Sequence, residues 1–319
     1  MANSQGELTV LSEQHFSRHQ LANLETVTDY LRFALSTFNR ADLYYGHGTD
    51  NSWDEAVNLI LGMLHLPWDT DKNLLQARLT AGEKQLLADA LRKRVIDRIP
   101  VPYLTGESWF MGLPFEVSPD VLIPKSPIAE LLEAQLDPWI TRMPGRILDL
   151  CCGSACIGIA AARVFPEADV VASDISEAAL EVASRNVTRH CVEQQVSLIR
   201  SDLLAQIEGK FDVILANPPY VDAKDLSELP AEFHHEPRLG LASGEDGLDL
   251  TRQILANAID YLNPGGILVC EVGNSQEVLQ AVYSVEFIWP EFERGGTGVF
   301  VLTYEQLREH SGLFKTRVR

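Results

Sequence analysis

The chain has 319 residues, of which 46% are hydrophobic and 22% charged, which allows two domains with their own cores and excludes a disordered chain. A formal net charge of −19 disfavours binding of DNA or RNA through phosphate neutralisation and leaves a basic protein as the compatible macromolecular partner. The five cysteines, Cys151, Cys152, Cys156, Cys191 and Cys270, have neither a disulfide framework nor paired zinc-ligand spacing, so reduced thiols, no metal and a cytoplasmic setting are expected.

Met1 to Glu7 lack a basic start followed by an apolar segment, so no signal peptide is expected. The apolar stretch 147–165 is broken by Asp149, two glycines and Arg163, which excludes it as a membrane span. Up to residue 102 the pattern is helical. Leu24, Val27, Leu31, Ala34, Leu35 and Phe38 form one stripe, and Trp53, Ala56, Ile60, Met63 and Leu64 another. Thr80 and Glu83 form a capping box ahead of Leu86, Leu87, Ala90, Leu91 and Val95. Residues 1–102 are therefore expected to be a small helical domain that packs and recognises substrate. Residues 103–125 read as a β-hairpin or connector, with Gly112 and Pro114 as turn residues.

From 126 to 319 strands alternate with helices, the pattern of an α/β domain with a mostly parallel sheet. Strands are expected at 146–150, 169–173, 196–200, 211–216 and 267–272. Ser176 is expected to cap the helix running toward His190, and a helix is expected over 250–262. Residues 287–289 and 299–302 are expected to pair as a terminal antiparallel hairpin.

Ligands of open α/β sheets bind beyond the carboxyl ends of the strands. Asp149, Asp174, Asp202 and Asn217 all fall at such ends, and Cys151-Cys152-Gly153-Ser154-Ala155 forms the first turn. An ionised carboxylate after the second strand suits two ribose hydroxyls, because it only accepts. The N-terminus of the following helix favours a carboxylate or another anion. Gly153 and Gly158 are not followed by the Lys-Ser/Thr pair of a nucleotide-triphosphate loop, and a dinucleotide G-x-G-x-x-G is absent. S-adenosylmethionine, with an adenosine, a carboxylate and no phosphate, fits this constellation.

The strand at 211–216 empties into Asn217-Pro218-Pro219-Tyr220. Two prolines contribute no N–H, so the loop offers carbonyl acceptors, an Asn amide in front and an aromatic ring behind. That combination suits a planar –NH2 group, gripped by its two hydrogens and stacked on one face. Asn217, Pro218 and Tyr220 are the expected catalytic residues, and Pro219 completes the substrate contact. His234 and His235 read as structural or substrate-rim residues.

On these motifs the chain resembles the N(5)-glutamine methyltransferases, and within them is most similar to the bacterial branch acting on ribosomal protein L-three. The narrower resemblance lies in Leu122-Ile123-Pro124-Lys125-Ser126-Pro127-Ile128, His235-Glu236-Pro237, Leu241-Ala242-Ser243-Gly244 with Asp246-Gly247-Leu248, and Cys270-Glu271-Val272-Gly273-Asn274. It implies a Rossmann-like class I methyltransferase domain, S-adenosylmethionine as cofactor, and a glutamine side-chain amide as acceptor. Ser126-Pro127-Ile128 stands where the release-factor branch carries Arg and an acidic-Thr-acidic triplet, which favours the ribosomal branch. Three other readings stand beside it: methylation of release factors, methylation of a nucleobase amino group, and a non-catalytic ribosome assembly factor. Lys125 replaces the family's usual Arg, and Ala155 its usual Gly, so a left-handed backbone at 155 would cost about 1–2 kcal/mol.

Overall fold

The computed structural model describes residues 11–316; the segment Met1 to Glu7, considered above for a leader, lies outside them. The described chain forms two compact units, one of residues 11–107 with 230–235, the other of 108–229 with 236–316.

The first unit is helical: α1 (Val27–Phe38), α2 (Ser52–Met63), α3 (Ala81–Val95) and α4 (Val101–Thr105). Thr80 and Glu83 cap α3 reciprocally, as expected, and Thr26 with Asp29 does the same for α1. Its core gathers Tyr30, Leu31, Ala34 and Phe38 with Ala56, Leu59, Ile60, Leu87 and Leu91. Trp53 and Leu86, expected on the buried stripes, are instead 50% and 41% exposed. Successive helical residues turn by about 100°, so Leu86 is carried off the face centred on Leu87 and Leu91, and Glu55 and Leu59 bring α2's buried face away from Trp53.

The second unit opens with β1 (Glu107–Phe110) and β2 (Leu113–Glu116), whose Met111 and Gly112 both have positive φ, +49° and +71°, as a two-residue hairpin turn requires. Pro114, expected in the turn, lies within β2. After α5 (Ile128–Glu133) come β3 (Arg146–Leu150), α6 (Cys156–Val164), β4 (Asp169–Asp174), α7 (Glu177–Arg189), β5 (Val196–Arg200) and β6 (Phe211–Ala216). Then follow α8 (Ala223–Glu228), α9 (Arg238–Leu241), α10 (Asp249–Asn257), β7 (Leu262–Glu271), α11 (Gln276–Val282), β8 (Val299–Thr303) and α12 (Tyr304–Thr316).

The six strands order as β5-β4-β3-β6-β7-β8, parallel from β5 to β7, with β8 antiparallel on β7. Both faces are covered: Ile147, Val213, Leu215 and Val269 pack on α6, while Leu148, Ile214 and Leu268 join Leu255 and Phe314 on the other side. Burial on both faces makes such strands near-continuous apolar runs, which is why β3 and β6 coincide with their expected ranges; the outer strand β5, partly exposed, coincides with its own as well. The expected helix over 250–262 stops at Asn257 and continues as a short 3-10 turn, because β7 already begins at Leu262 and takes in Asn263-Pro264-Gly265-Gly266. The expected terminal hairpin is also corrected: residue 288 makes only an isolated bridge to Val301, and β8 pairs with β7 instead. Among the described residues no helix is long and apolar enough to cross a membrane.

Candidate active site

The chain order reverses between β3 and β6, which lie side by side. Their parallel register pairs Leu150 with Ala216, so the loops starting at Cys151 and at Asn217 leave the same edge of the sheet from neighbouring strands. This is the topological switch point of the sheet, where ligands of open α/β folds are bound.

The 151–155 loop is tightly wound. Cys151, Gly153 and Ala155 all have positive φ, +57°, +52° and +60°. Ala155 is the N-cap of α6 and offers no side-chain acceptor. Asp149 takes over that task from the strand: it is fully buried, and its Oδ2 accepts the Gly158 N–H at 2.8 Å. Its Oδ1 is buried without a hydrogen-bond partner. Burial, opposed by the Gly158 N–H and reinforced by Asp174, pushes the Asp149 carboxyl up to about 7.

Asp174, at the end of β4, joins two loops. Its Oδ2 accepts from Gly153 N and its Oδ1 from Ser176 N, both at 2.9 Å, and Ser176 in turn caps α7 through Ala179 N. A carboxylate has about four lone-pair sites, so acceptor capacity remains beside the Gly153 turn even with the Ile175 backbone N–H also bonded to it. Burial raises its pKa, against those backbone bonds. Asp202 is exposed just beyond β5, and its charge is felt at Cys151. Burial and the neighbouring carboxylates lift the Cys151 and Cys152 thiols above their ordinary value, and burial with Asp149 pushes Cys156 up to about 12. These are neutral thiols that line a turn, not nucleophiles.

Beyond β6, Pro218 and Pro219 are buried while Asn217 and Tyr220 are partly exposed. Tyr220 is fixed at three points. Its hydroxyl donates to Glu271 Oε1 at 2.9 Å, its carbonyl accepts from Ser275 Oγ at 3.0 Å, and its ring lies on Gly273, where a Cβ would strike it. Burial and the Glu271 charge hold the Tyr220 phenol well above its ordinary pKa, so it is a donor throughout the physiological range. Val221 continues the lock by donating to Leu241 O and accepting from Ser243 N.

Sequence reasoning placed the loop residues but missed their supports. Asn186, buried on α7, donates to Ser154 O and to Glu116 O, both at 3.0 Å, and accepts from Glu116 N at 2.7 Å. Glu271 was visible only as a member of a motif, and Ser275, just past that motif, was not singled out. His235 binds the Asp97 carbonyl at 2.7 Å, and His234 is exposed.

The family Methyltransferase small domain matches residues 129–244. The chain is 42% identical over 297 residues to the ribosomal protein uL3 glutamine methyltransferase of Francisella tularensis subsp. tularensis (strain SCHU S4 / Schu 4), covering 92% of this chain and 95% of that protein. With the protein of the same name from Neisseria gonorrhoeae (strain ATCC 700825 / FA 1090) it shares 46% identity over 287 residues, 89% and 96% of the two chains. The chain belongs to the ribosomal protein uL3 glutamine methyltransferase family. Among solved structures, a methyltransferase from Pyrococcus furiosus aligns with 71% of this chain and 99% of its own, at 20% identity and a TM-score of 0.41.

As a member of this glutamine methyltransferase family, the protein carries its two departures in defined surroundings. Ala155 does adopt the left-handed backbone, φ +60°, ψ +25°. Lys125 reaches Glu236 Oε1 at 3.6 Å, and the other oxygen of that buried carboxylate accepts Ile123 N at 3.2 Å. A lysine there keeps the charge but not the planar two-point grip of an arginine.

Proposed function

We propose that this enzyme methylates the side-chain amide nitrogen of a glutamine in ribosomal protein uL3, using S-adenosylmethionine. The observation that carries the reading is the β3–β6 register, which starts the Gly153 turn and the Asn217-Pro218-Pro219-Tyr220 loop from adjacent residues of one sheet edge. The two curated relatives named for this reaction support the substrate, and a ribosomal substrate fits a cytoplasmic setting.

The residues fit the cofactor. The space where a Gly153 Cβ would point is open, Asp174 keeps acceptor capacity beside it, and Asp149 holds an orphaned oxygen behind the turn. Residues 151–155 would hold the amino-acid end, Asp174 the ribose hydroxyls, and Asp202 and Asn217 border the remainder. S-adenosylmethionine supplies a methyl group activated by a sulfonium.

An amide nitrogen is a weak nucleophile because its lone pair is delocalised into the carbonyl. In this reading the Asn217 side-chain oxygen and the Pro218 carbonyl each accept one N–H of the glutamine. The two oxygens fix the nitrogen and stabilise the positive charge that grows on it. Tyr220 covers the amide plane, worth about 0.5–1.5 kcal/mol by analogy with ring pairs. Most of the acceleration is alignment, for which roughly 7–11 kcal/mol is available. The proton then leaves to water.

Asn217→Ala is expected to abolish methyl transfer to purified uL3 while cofactor affinity, read by calorimetry, stays within a few-fold. An active Asn217→Ala enzyme would remove the grip. Parallel assays on uL3 and on a peptide release factor decide the substrate; transfer to the release factor alone would overturn the uL3 reading.

A further inference from the structure

Behind Tyr220 lies a carboxylate that the reaction as derived does not use. Glu271, the last residue of β7, is 4% exposed, yet both its oxygens are engaged. Oε1 accepts the Tyr220 hydroxyl at 2.9 Å and Oε2 accepts the Ser126 hydroxyl at 2.6 Å. Ser126 Oγ also accepts Ile128 N at 3.2 Å, at the start of α5, which fixes the hydroxyl rotor toward Glu271. Burial pushes the Glu271 carboxyl up to about 7, against the Ser126 and Tyr220 hydroxyls and the Lys125 charge, which favour its ionised form.

A buried carboxylate is costly to keep unless its oxygens are bonded, so its place at the end of a central strand calls for a task. The ring of Tyr220 has no side-chain wall on its Gly273 side, where a Cβ would collide with it. The Gly273 backbone backs one face of the ring, and the hydroxyl bond to Glu271 adds a directional hold on its far end.

We propose that Glu271 is a positioning residue for methyl transfer: clamped by Ser126, it holds the Tyr220 hydroxyl and so sets the ring plane against which the substrate amide is laid. The proposal rests on the reading of Asn217 to Tyr220 as the amide grip. Glu271 acts through Tyr220 and touches neither substrate nor methyl donor.

The test is a double-mutant cycle on the full chain, reading kcat and KM for uL3 and cofactor affinity. Glu271→Leu is expected to lower kcat roughly 10- to 100-fold, with cofactor affinity unchanged, because misplacement by an ångström costs about that much. Glu271→Gln, which keeps an acceptor for Tyr220 and a donor for Ser126, is expected to restore kcat to within about threefold. Tyr220→Phe should lose as much as Glu271→Leu, and the double variant no more than either. Full kcat in Glu271→Leu, or losses that multiply in the double variant, overturns the proposal. Should Glu271→Leu fail to fold, Ser126→Ala replaces it. Its kcat loss must vanish in the Tyr220→Phe background, and an equal effect in both backgrounds, including none, overturns the proposal. An active Asn217→Ala enzyme defeats the amide grip alone, since coupling between 271 and 220 is still read in the unaltered loop.

Discussion

Asp149 and Gly158 meet across the first turn of α6: the carboxylate Oδ2 accepts the Gly158 N–H at 2.8 Å, and a Cβ at 158 would stand 2.8 Å from the same oxygen. Glycine is required by that approach, not by its backbone freedom, since 158 lies inside a helix. Gly158→Ala is expected to push the carboxylate off its N–H and to cost about 1–3 kcal/mol, as overpacking in a closed core does. Denaturant midpoints measure the loss, and an unchanged midpoint would mean that Asp149 can give way.

The same carboxylate gives the unliganded protein a pH signature. Its folded pKa, about 7, lies above the ordinary Asp value of 3.8, because it is buried with only one oxygen bonded. Between those values the folded state keeps a proton that the unfolded chain has lost, so this group's contribution to stability falls as pH rises to about 7. Asp149→Asn cannot titrate. The stability of Asp149→Asn relative to the unaltered protein is therefore expected to grow from pH 5 to pH 7.5. A gap independent of pH would place the carboxyl at an ordinary pKa.

Ala155 carries left-handed strain at φ +60° while being completely buried. Ala155→Gly relieves about 1–2 kcal/mol of strain. It also removes a buried methyl, about 0.8 kcal/mol, and frees the unfolded chain by about 0.4–1 kcal/mol. These terms cancel, so the melting temperature is expected to move by less than about 3 °C and cofactor affinity to stay level. A large gain in affinity would show that the alanine distorts the turn.

How much of this was legible in the sequence follows from range. The ends of β4 at Asp174 and of β6 before Asn217 could be read because a buried parallel strand is an apolar run that a polar residue terminates, whereas Asp149 lies inside β3, which runs on to Leu150. The caps Thr80 and Ser176 were local and could be read too. Asn186 and Glu271 could not, since their partners lie 70 and 51 residues away and no periodicity marks a polar residue that turns inward. The pairing of β8 with β7 escaped for the same reason: residues 287–289 and 299–302 have equal β character, and the sheet edge decided the partner.

Within the helical unit, Arg94 is 1% exposed and binds Glu55 Oε1 at 2.6 Å, Glu232 Oε1 at 3.0 Å and the Tyr44 carbonyl at 2.9 Å. Arg98 adds a second cation on Glu232 at 3.3 Å. Burial raises the Glu232 pKa but the arginine bonds outweigh it, so the group stays ionised. Arg94→Met fills similar volume but leaves two buried carboxylates short of their counter-charge, and about 3–5 kcal/mol should be lost. Adding Glu55→Gln should recover part of it; if the single substitution is neutral in urea titration, the network contributes nothing.

Asn186 offers the sharpest test of the link between the hairpin and the cofactor turn. Its amide gives both hydrogens to carbonyls, Ser154 O and Glu116 O, while its oxygen takes Glu116 N. Asn186→Asp keeps shape and the acceptor but has no hydrogen to give when ionised, so a negative charge faces two buried carbonyl oxygens. Each abandoned carbonyl costs about 1–3 kcal/mol, and the charge adds to that. The variant is expected to lose stability at pH 7 and to regain part of it at pH 4, where a protonated acid can donate to one carbonyl. Cofactor affinity should fall at neutral pH, because Ser154 belongs to the turn assigned to it. Equal affinity in Asn186→Asp and the unaltered enzyme would mean that the 151–155 loop keeps its form without this amide, held by Gly153 and Asp174 alone.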